Sequence, residues 1–406
     1  MTSHRGGRRR ADTRGHAHGH GHGHAHSTAP DVHVAAGPRF ALLGILALVA
    51  VAVVVGIVGL WPDRAAVHRL AHSLDFAAPG VTFPHASVQE VQPACAAGAQ
   101  ATQTCGNLRV RVGGTTALVP VPPEVTHSGL KRGSSVQLQR TPGSPPTYSY
   151  YSTDRSGTLW LLIGLFVVVV LAVARLRGLL ALVGLAFGGL VVGGWLLPGL
   201  LGGHSPPLVG LVGSAAIMYV VLYLTHGLSL RTSAALAGTL AGLAVTAGLG
   251  LVTVRLSHLT GVADEGGSIL TSVVGHLDFQ GLMTCTVIVA GLGVLNDVTI
   301  TQASAVWELR AAAPGLTRWR LWAGAMRIGR DHIASTIYTI VFAYAGTALT
   351  TLLVIELYDR PFLELVGTEQ IAEEVVRSLV SAIGLVLAVP LTTAVAALTV
   401  PGRAEE

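Results

Sequence analysis

A chain of 406 residues that is 51% hydrophobic and only 12% charged carries about half the charge of an ordinary soluble domain, where roughly 25% is usual. Its apolar residues fall into blocks of about 20, the length that crosses a hydrocarbon core of about 30 Å, so a soluble fold is excluded and the lipid bilayer is the expected partner. The net charge of +5 lies near block boundaries, with no basic patch interleaved with aromatics, which excludes nucleic-acid binding.

Residues 1–39 are rich in Gly, His, Arg and Ala and are expected to be a disordered cytoplasmic tail. Within it His16, His18, His20, His22, His24 and His26 stand at two-residue spacing. Imidazoles so placed on a flexible backbone can wrap a borderline metal such as Zn²⁺, Ni²⁺ or Cu²⁺. The bland alternative is a low-complexity tail with incidental affinity.

Residues 40–61 form the first uncharged block, closed by Trp61-Pro62-Asp63-Arg64. The block is too long for a signal peptide and no small-residue cleavage site follows it, so a retained transmembrane anchor is expected. Residues 62–156 are polar and punctuated by Gly113-Gly114, Pro122-Pro123 and Pro142-Gly143. Alternation at Leu108-Arg109-Val110-Arg111-Val112 and Ser135-Val136-Gln137-Leu138-Gln139 predicts a small β-domain. Cys95 and Cys105 lie in it, close enough in sequence to pair, and a disulfide suits an extracytoplasmic position. Cys285 falls in an apolar run and is expected to be buried and inert.

Seven further blocks follow, at 157–174, 178–201, 208–224, 234–254, 281–300, 333–357 and 378–400. The predicted fold class is therefore an α-helical polytopic membrane protein with eight transmembrane helices. It has a small extracytoplasmic β-domain between the first and second, a seven-helix membrane domain over 157–400 and a cytoplasmic tail over 401–406. Arginines test this arrangement, because cytoplasmic loops collect them. With the N-terminus inside, Arg5 to Arg39, Arg175, Arg177, Arg231, Arg310, Arg318, Arg320, Arg327, Arg330 and Arg403 are cytoplasmic. The last outer loop is instead acidic, with Asp359, Glu364, Glu369, Glu373 and Glu374, and Arg377 stands at a helix edge. Both termini are expected in the cytoplasm. Gly184 with Gly188, Gly189 with Gly193 and Gly238 with Gly242 have the four-residue spacing of closely packed membrane helices.

The stretch from Gly291 to Arg310 carries the chemistry. Asp297 lies about 24 Å into its block at about 1.5 Å per residue, where an ionised carboxylate is costly and needs a reason. Thr286, Ala290, Gly293, Asp297, Thr301, Ser304 and Glu308 share one helical face, with Asn296 beside it. That small, polar face is expected to meet protein or water rather than lipid. The next block opens on Arg330, Asp331, His332 and Thr336, and His332, Thr336, Thr339, Ala343, Gly346 and Thr350 share a face. Antiparallel packing would bring Asp297 or Glu308 near Arg330 and His332. A carboxylate beside an imidazole can relay protons or bind a cation, or it can close a helix hairpin as an ion pair. No phosphate-binding glycine loop, nucleophile elbow or zinc-protease helix is present, so an enzyme is not expected.

The stretch Gly291 to Arg310, with Gly329-Arg330-Asp331-His332-Ile333-Ala334-Ser335-Thr336 and Ala343-Tyr344-Ala345-Gly346, resembles the YibE/F-like family of bacterial multi-pass membrane proteins. So do Tyr148-Ser149-Tyr150-Tyr151 with Asp154-Arg155, and Leu197-Pro198 followed by Gly202-Gly203 and Pro206-Pro207. The resemblance spans roughly residues 80–400. It implies a bacterial cell-membrane location and an Asp at position 297, with Thr339 departing from an expected Asn, and it attaches no reaction. The function expected is a secondary transporter or permease with a polar pathway around Asp297, with a metal cation suggested by the tail alone. The alternative is a non-catalytic scaffold acting through the outer domain. A second copy or another membrane protein is the expected protein partner.

Overall fold

The computed structural model describes residues 36–72, 76–95, 105–263, 265–357 and 361–400. The histidines of the tail, His16 to His26, lie outside the described residues, as do residues 401–406.

Helix α1 (Ala36–Gly59) is the anchor, followed by a short helix α2 (Arg64–His72). Five strands come next: β1 (His85–Val91), β2 (Asn107–Val112), β3 (Thr115–Pro120), β4 (Ser135–Thr141) and β5 (Thr147–Thr153), with one helical turn α3 (Pro123–Thr126) between β3 and β4. They form a single antiparallel sheet in the order β3-β2-β1-β4-β5. The alternating segments become β2 and β4. Leu108, Val110, Val136 and Leu138 are fully buried, with Val88 and Val119, while Arg109 points outward to Glu90 at 3.2 Å. Each such side chain contributes about 1.5–3 kcal/mol through burial, and together they make the one core this small sheet has. Cys95 and Cys105 are joined, their Cα atoms 5.0 Å apart. Beside them the buried Asn107 amide donates to Gln92 Oε1 at 3.0 Å and to the Cys105 carbonyl at 2.7 Å. The segment is not purely β, because α2 occupies its start.

The membrane part begins with α4 (Ser156–Val191), which runs through a π turn at Val192–Leu196 into α5 (Leu197–Leu201). After it come α6 (Pro206–His226), α7 (Leu230–Leu256), the short α8 (Glu265–Val273) and α9 (Phe279–Ala312). The chain closes with α10 (Arg318–Thr347), α11 (Leu349–Glu356), α12 (Phe362–Val366) and α13 (Glu369–Thr399). Among the described residues six helices are long and apolar enough to cross a membrane, and seven are counted when α10 and α11, bent by 65°, are taken as one broken span. The sequence leads to an expectation of eight. The difference lies entirely in Ser156–Leu201, a run of 46 residues that would be about 69 Å long if straight. It is not straight. Arg175 has φ 51° and ψ −129°, outside helical space and costly for a residue with a Cβ. A Cβ on Gly178 would stand 2.7 Å from the Val170 carbonyl oxygen, a residue about 12 Å away along a regular helix. The chain therefore bends back on itself at Arg175, and Gly178 is where the two arms touch.

Small residues set the rest of the packing. Helices α7, α9 and α13 form the centre: a Cβ on Gly238 would overlap Thr392, one on Gly384 would overlap Thr246, and one on Gly242 would stand 2.8 Å from Leu295 and 3.0 Å from Ala388. Several buried hydroxyls are satisfied inside the bundle, as lipid favours, whereas those of Ser214, Thr246 and Ser381 have no partner among the described residues. Thr239 and Thr299 share a hydrogen bond of 2.6 Å, and Thr392 and Thr393 donate to the carbonyls of Ala388 and Val389. Gly184 and Gly188 lie against Val221 and Ile217 of α6, whereas a Cβ on Gly189 or Gly193 would meet nothing within 4 Å. On the α1 side, Gly56 meets Val212, Tyr219 donates to the Leu46 carbonyl at 2.7 Å and Trp195 donates to Ile57 at 3.3 Å. Large apolar side chains along the first arm of α4, from Leu159 to Val173, are exposed. That surface is suited to acyl chains and not to water.

Candidate functional site

Asp297 is placed by α9, whose opposite face is locked into the bundle. Leu295, Val298 and Thr299 are buried, and Gln302 is buried with its amide donating to the Ala325 carbonyl of α10 at 2.8 Å. Gly329 allows that contact, since a Cβ there would stand 2.9 Å from Gln302 Oε1 and 2.8 Å from Val389. With α10 seated so closely, His332 Nε2 comes to 3.8 Å from Asp297 Oδ2. The carboxylate is 71% exposed and the imidazole 28%. The separation is too long for a hydrogen bond. Nε2 of His332 and Oδ1 of Asn296 are both buried atoms with no hydrogen-bond partner among the described residues.

On its other side Asp297 opens into a polar cavity of about 520 Å³ lined by Arg177, Thr225, His226, Arg231, Ile300, Thr301 and Ser304. Thr301 and Ser304, the stripe members below Asp297, are therefore in the site. The Thr301 hydroxyl donates to the Asp297 carbonyl at 2.7 Å, and that of Thr336 donates to the His332 carbonyl at 2.8 Å, so both are engaged with their own helices. Glu308, Arg330 and Asp331 are exposed and form no ion pair among the described residues. Of the two carboxylates expected near Arg330 and His332, it is Asp297 that comes to His332, while Glu308 makes no ion pair among the described residues. The stripe itself, from Thr286 through Gly293 and Asp297 to Glu308, runs along the accessible side of α9.

Arg177 and Arg231 were legible in sequence only as cytoplasmic boundary charges, and His226 gave no signal there. They stand just past the bend in α4, at the end of α6 and in the first turn of α7, and only packing of those ends against α9 makes them neighbours of Asp297.

A second polar group lies near the start of α13. Helix α13 begins at Glu369, so Glu373, Glu374 and Arg377 belong to the helix. That corrects their placement in an outer loop and at its edge. Arg377 Nη1 donates to Glu374 Oε1 at 2.5 Å, Glu373 is buried, and the three line a cavity of about 270 Å³ with Thr347, Thr351 and Gln370. Pairing is what makes helical charges tolerable here, and hydropathy alone cannot detect it. No group of three His, Cys, Asp or Glu side chains able to hold a metal exists among the described residues.

Comparison with curated proteins gives no match, and comparison with solved structures gives none. The family model described as YibE/F-like protein matches residues 162–402. That interval holds every residue of both polar groups but neither α1 nor the sheet. The chain, a multi-pass membrane protein, belongs to the YibE/F-like family.

Proposed function

We propose that the chain is a secondary transporter of permease type, with a polar route that passes Asp297. The observation that supports this most is the meeting of an intramembrane carboxylate, an imidazole at 3.8 Å and a polar cavity of about 520 Å³ on one side of the bundle. A structural ion pair would be closed up by packing. This one is left open, with its own His332 Nε2 and the neighbouring Asn296 Oδ1 both unsatisfied.

In the same reading, the bend at Arg175 divides Ser156–Leu201 into two crossings, which gives eight in all. The arginine-rich ends face the cytoplasm, and the sheet with its disulfide lies outside, where thiols are oxidised. The decisive experiment is flux in reconstituted vesicles: Asp297→Asn abolishes it while the protein accumulates normally. Retention of full flux in that variant would end the proposal.

One observation favours a scaffold instead. Phe76, Phe83 and Tyr151 cluster with ring centroids 4.8–6.2 Å apart, and Phe76 is 76% exposed, an arrangement common at protein interfaces. A scaffold tolerates Asp297→Asn and fails when residues 76–153 are deleted. Metal handling by His16 to His26 is separate from both, and deletion of residues 1–33 tests it through the metal sensitivity of cells.

A further inference from the structure

We infer that the cavity at Asp297 is an anion site, taking a small oxyanion of the phosphate class. Its lining sets two guanidinium groups, Arg177 and Arg231, against a single carboxylate, Asp297, with the imidazole of His226 also in the wall. The balance is positive before His226 gains any proton. Neither guanidinium has a hydrogen bond or ion pair among the described residues. Arginine presents a planar fork of donors that matches oxyanion geometry, and two such forks on separate helices can grip one ligand from two sides.

A cation finds much less. Asp297 is the one carboxylate in the lining, and it is already turned toward His332. The hydroxyls of Thr225 and Thr301 donate to the carbonyls of Val221 and Asp297, so the guanidiniums, with the Ser304 hydroxyl, supply the donors. The position of Arg231, in the first turn of α7 behind the Ser229 cap, adds the positive end of a helix of 27 residues to the same side of the cavity. This inference rests on the transport reading only for calling the anion a substrate; binding stands or falls separately.

Arginines at the end of a membrane helix can also hold a lipid phosphate, so the test has two arms. The full chain is placed in nanodiscs of zwitterionic phosphatidylcholine and titrated calorimetrically with inorganic phosphate. In parallel, discs doped with phosphatidylglycerol are analysed for retained anionic lipid by native mass spectrometry. Saturable phosphate binding is expected, weakened at least about 10-fold in Arg177→Gln and in Arg231→Gln. It should be partly restored in Arg231→Lys and tightened in Asp297→Asn, which removes the opposing charge. Circular dichroism confirms that each variant is folded.

Absence of phosphate binding, with phosphatidylglycerol retained by the wild type and lost from both glutamine variants, keeps the anion site and assigns a headgroup to it. Phosphate and lipid behaviour identical in wild type and glutamine variants overturns the inference. Because Asp297→Asn is expected to gain affinity while losing flux, failure here is distinguishable from failure of transport.

Discussion

His332 Nε2 and Asp297 Oδ2 face each other across 3.8 Å on consecutive long helices, held at that distance by the packing of Gly329 against Gln302 and Val389. A pair this open contributes little to stability, about 0–1 kcal/mol. Its role is therefore to be read from function rather than from stability. Asp297→Asn and His332→Gln should each leave thermal unfolding in detergent nearly unchanged while abolishing flux. A large loss of stability in either variant would make the pair a structural clasp.

The α7–α13 contact is decided by absent side chains. Gly238→Ala drives a Cβ into Thr392, and overpacking of this kind costs about 1–3 kcal/mol. Thr392→Ala removes the hydroxyl in the way but keeps its own Cβ 2.7 Å from the added methyl, so the double variant should recover part of the loss. A thermal-unfolding cycle measures the coupling, and additivity of the two changes would contradict the contact.

Arg377 and Glu374 offer the opposite case, two charges that share one bond of 2.5 Å and are less than one-third exposed. Arg377→Gln or Glu374→Gln alone should cost about 1.5–3 kcal/mol, and the double variant less than their sum, because no charge is then left alone. Chemical denaturation in mixed micelles reads this directly.

For the sheet, opening the Cys95–Cys105 link over a separation of 10 residues should cost about 2.5–3 kcal/mol by loss of loop constraint in the unfolded chain. Cys95→Ser, Cys105→Ser and the double variant should be equally affected. Alkylation of the unreduced protein should label Cys285 alone, and only after unfolding, since it is buried.

The Asp154 carboxyl is held below the usual carboxylate range, first by the Ser156 hydroxyl and then by the Ser156 backbone N–H, with smaller help from Ser135 and His85 and against partial desolvation. A lowered value in the folded state favours folding above the unfolded value of about 3.9. That contribution is lost as pH falls through the folded value. Ser156→Ala should raise the Asp154 midpoint toward the ordinary one, as read by NMR titration of the carboxyl carbon. An unchanged midpoint would assign the effect to other groups.

What the sequence determined follows from solvent alone. Uncharged blocks must enter lipid, alternating Leu108-Arg109-Val110 must present one face to a core, and both are local properties of the chain. Asp297 and His332 were legible for the same reason, since polar groups in apolar runs are conspicuous. The tertiary structure decided what is not local. It brought Arg177 and Arg231, which read as boundary charges, to the carboxylate from other helices; it drew Glu373, Glu374 and Arg377 into α13, because paired charges cost less in a helix than hydropathy assigns them singly; and it bent the chain at Arg175. Charge in a membrane protein is priced by its neighbours, and neighbours are a property of packing.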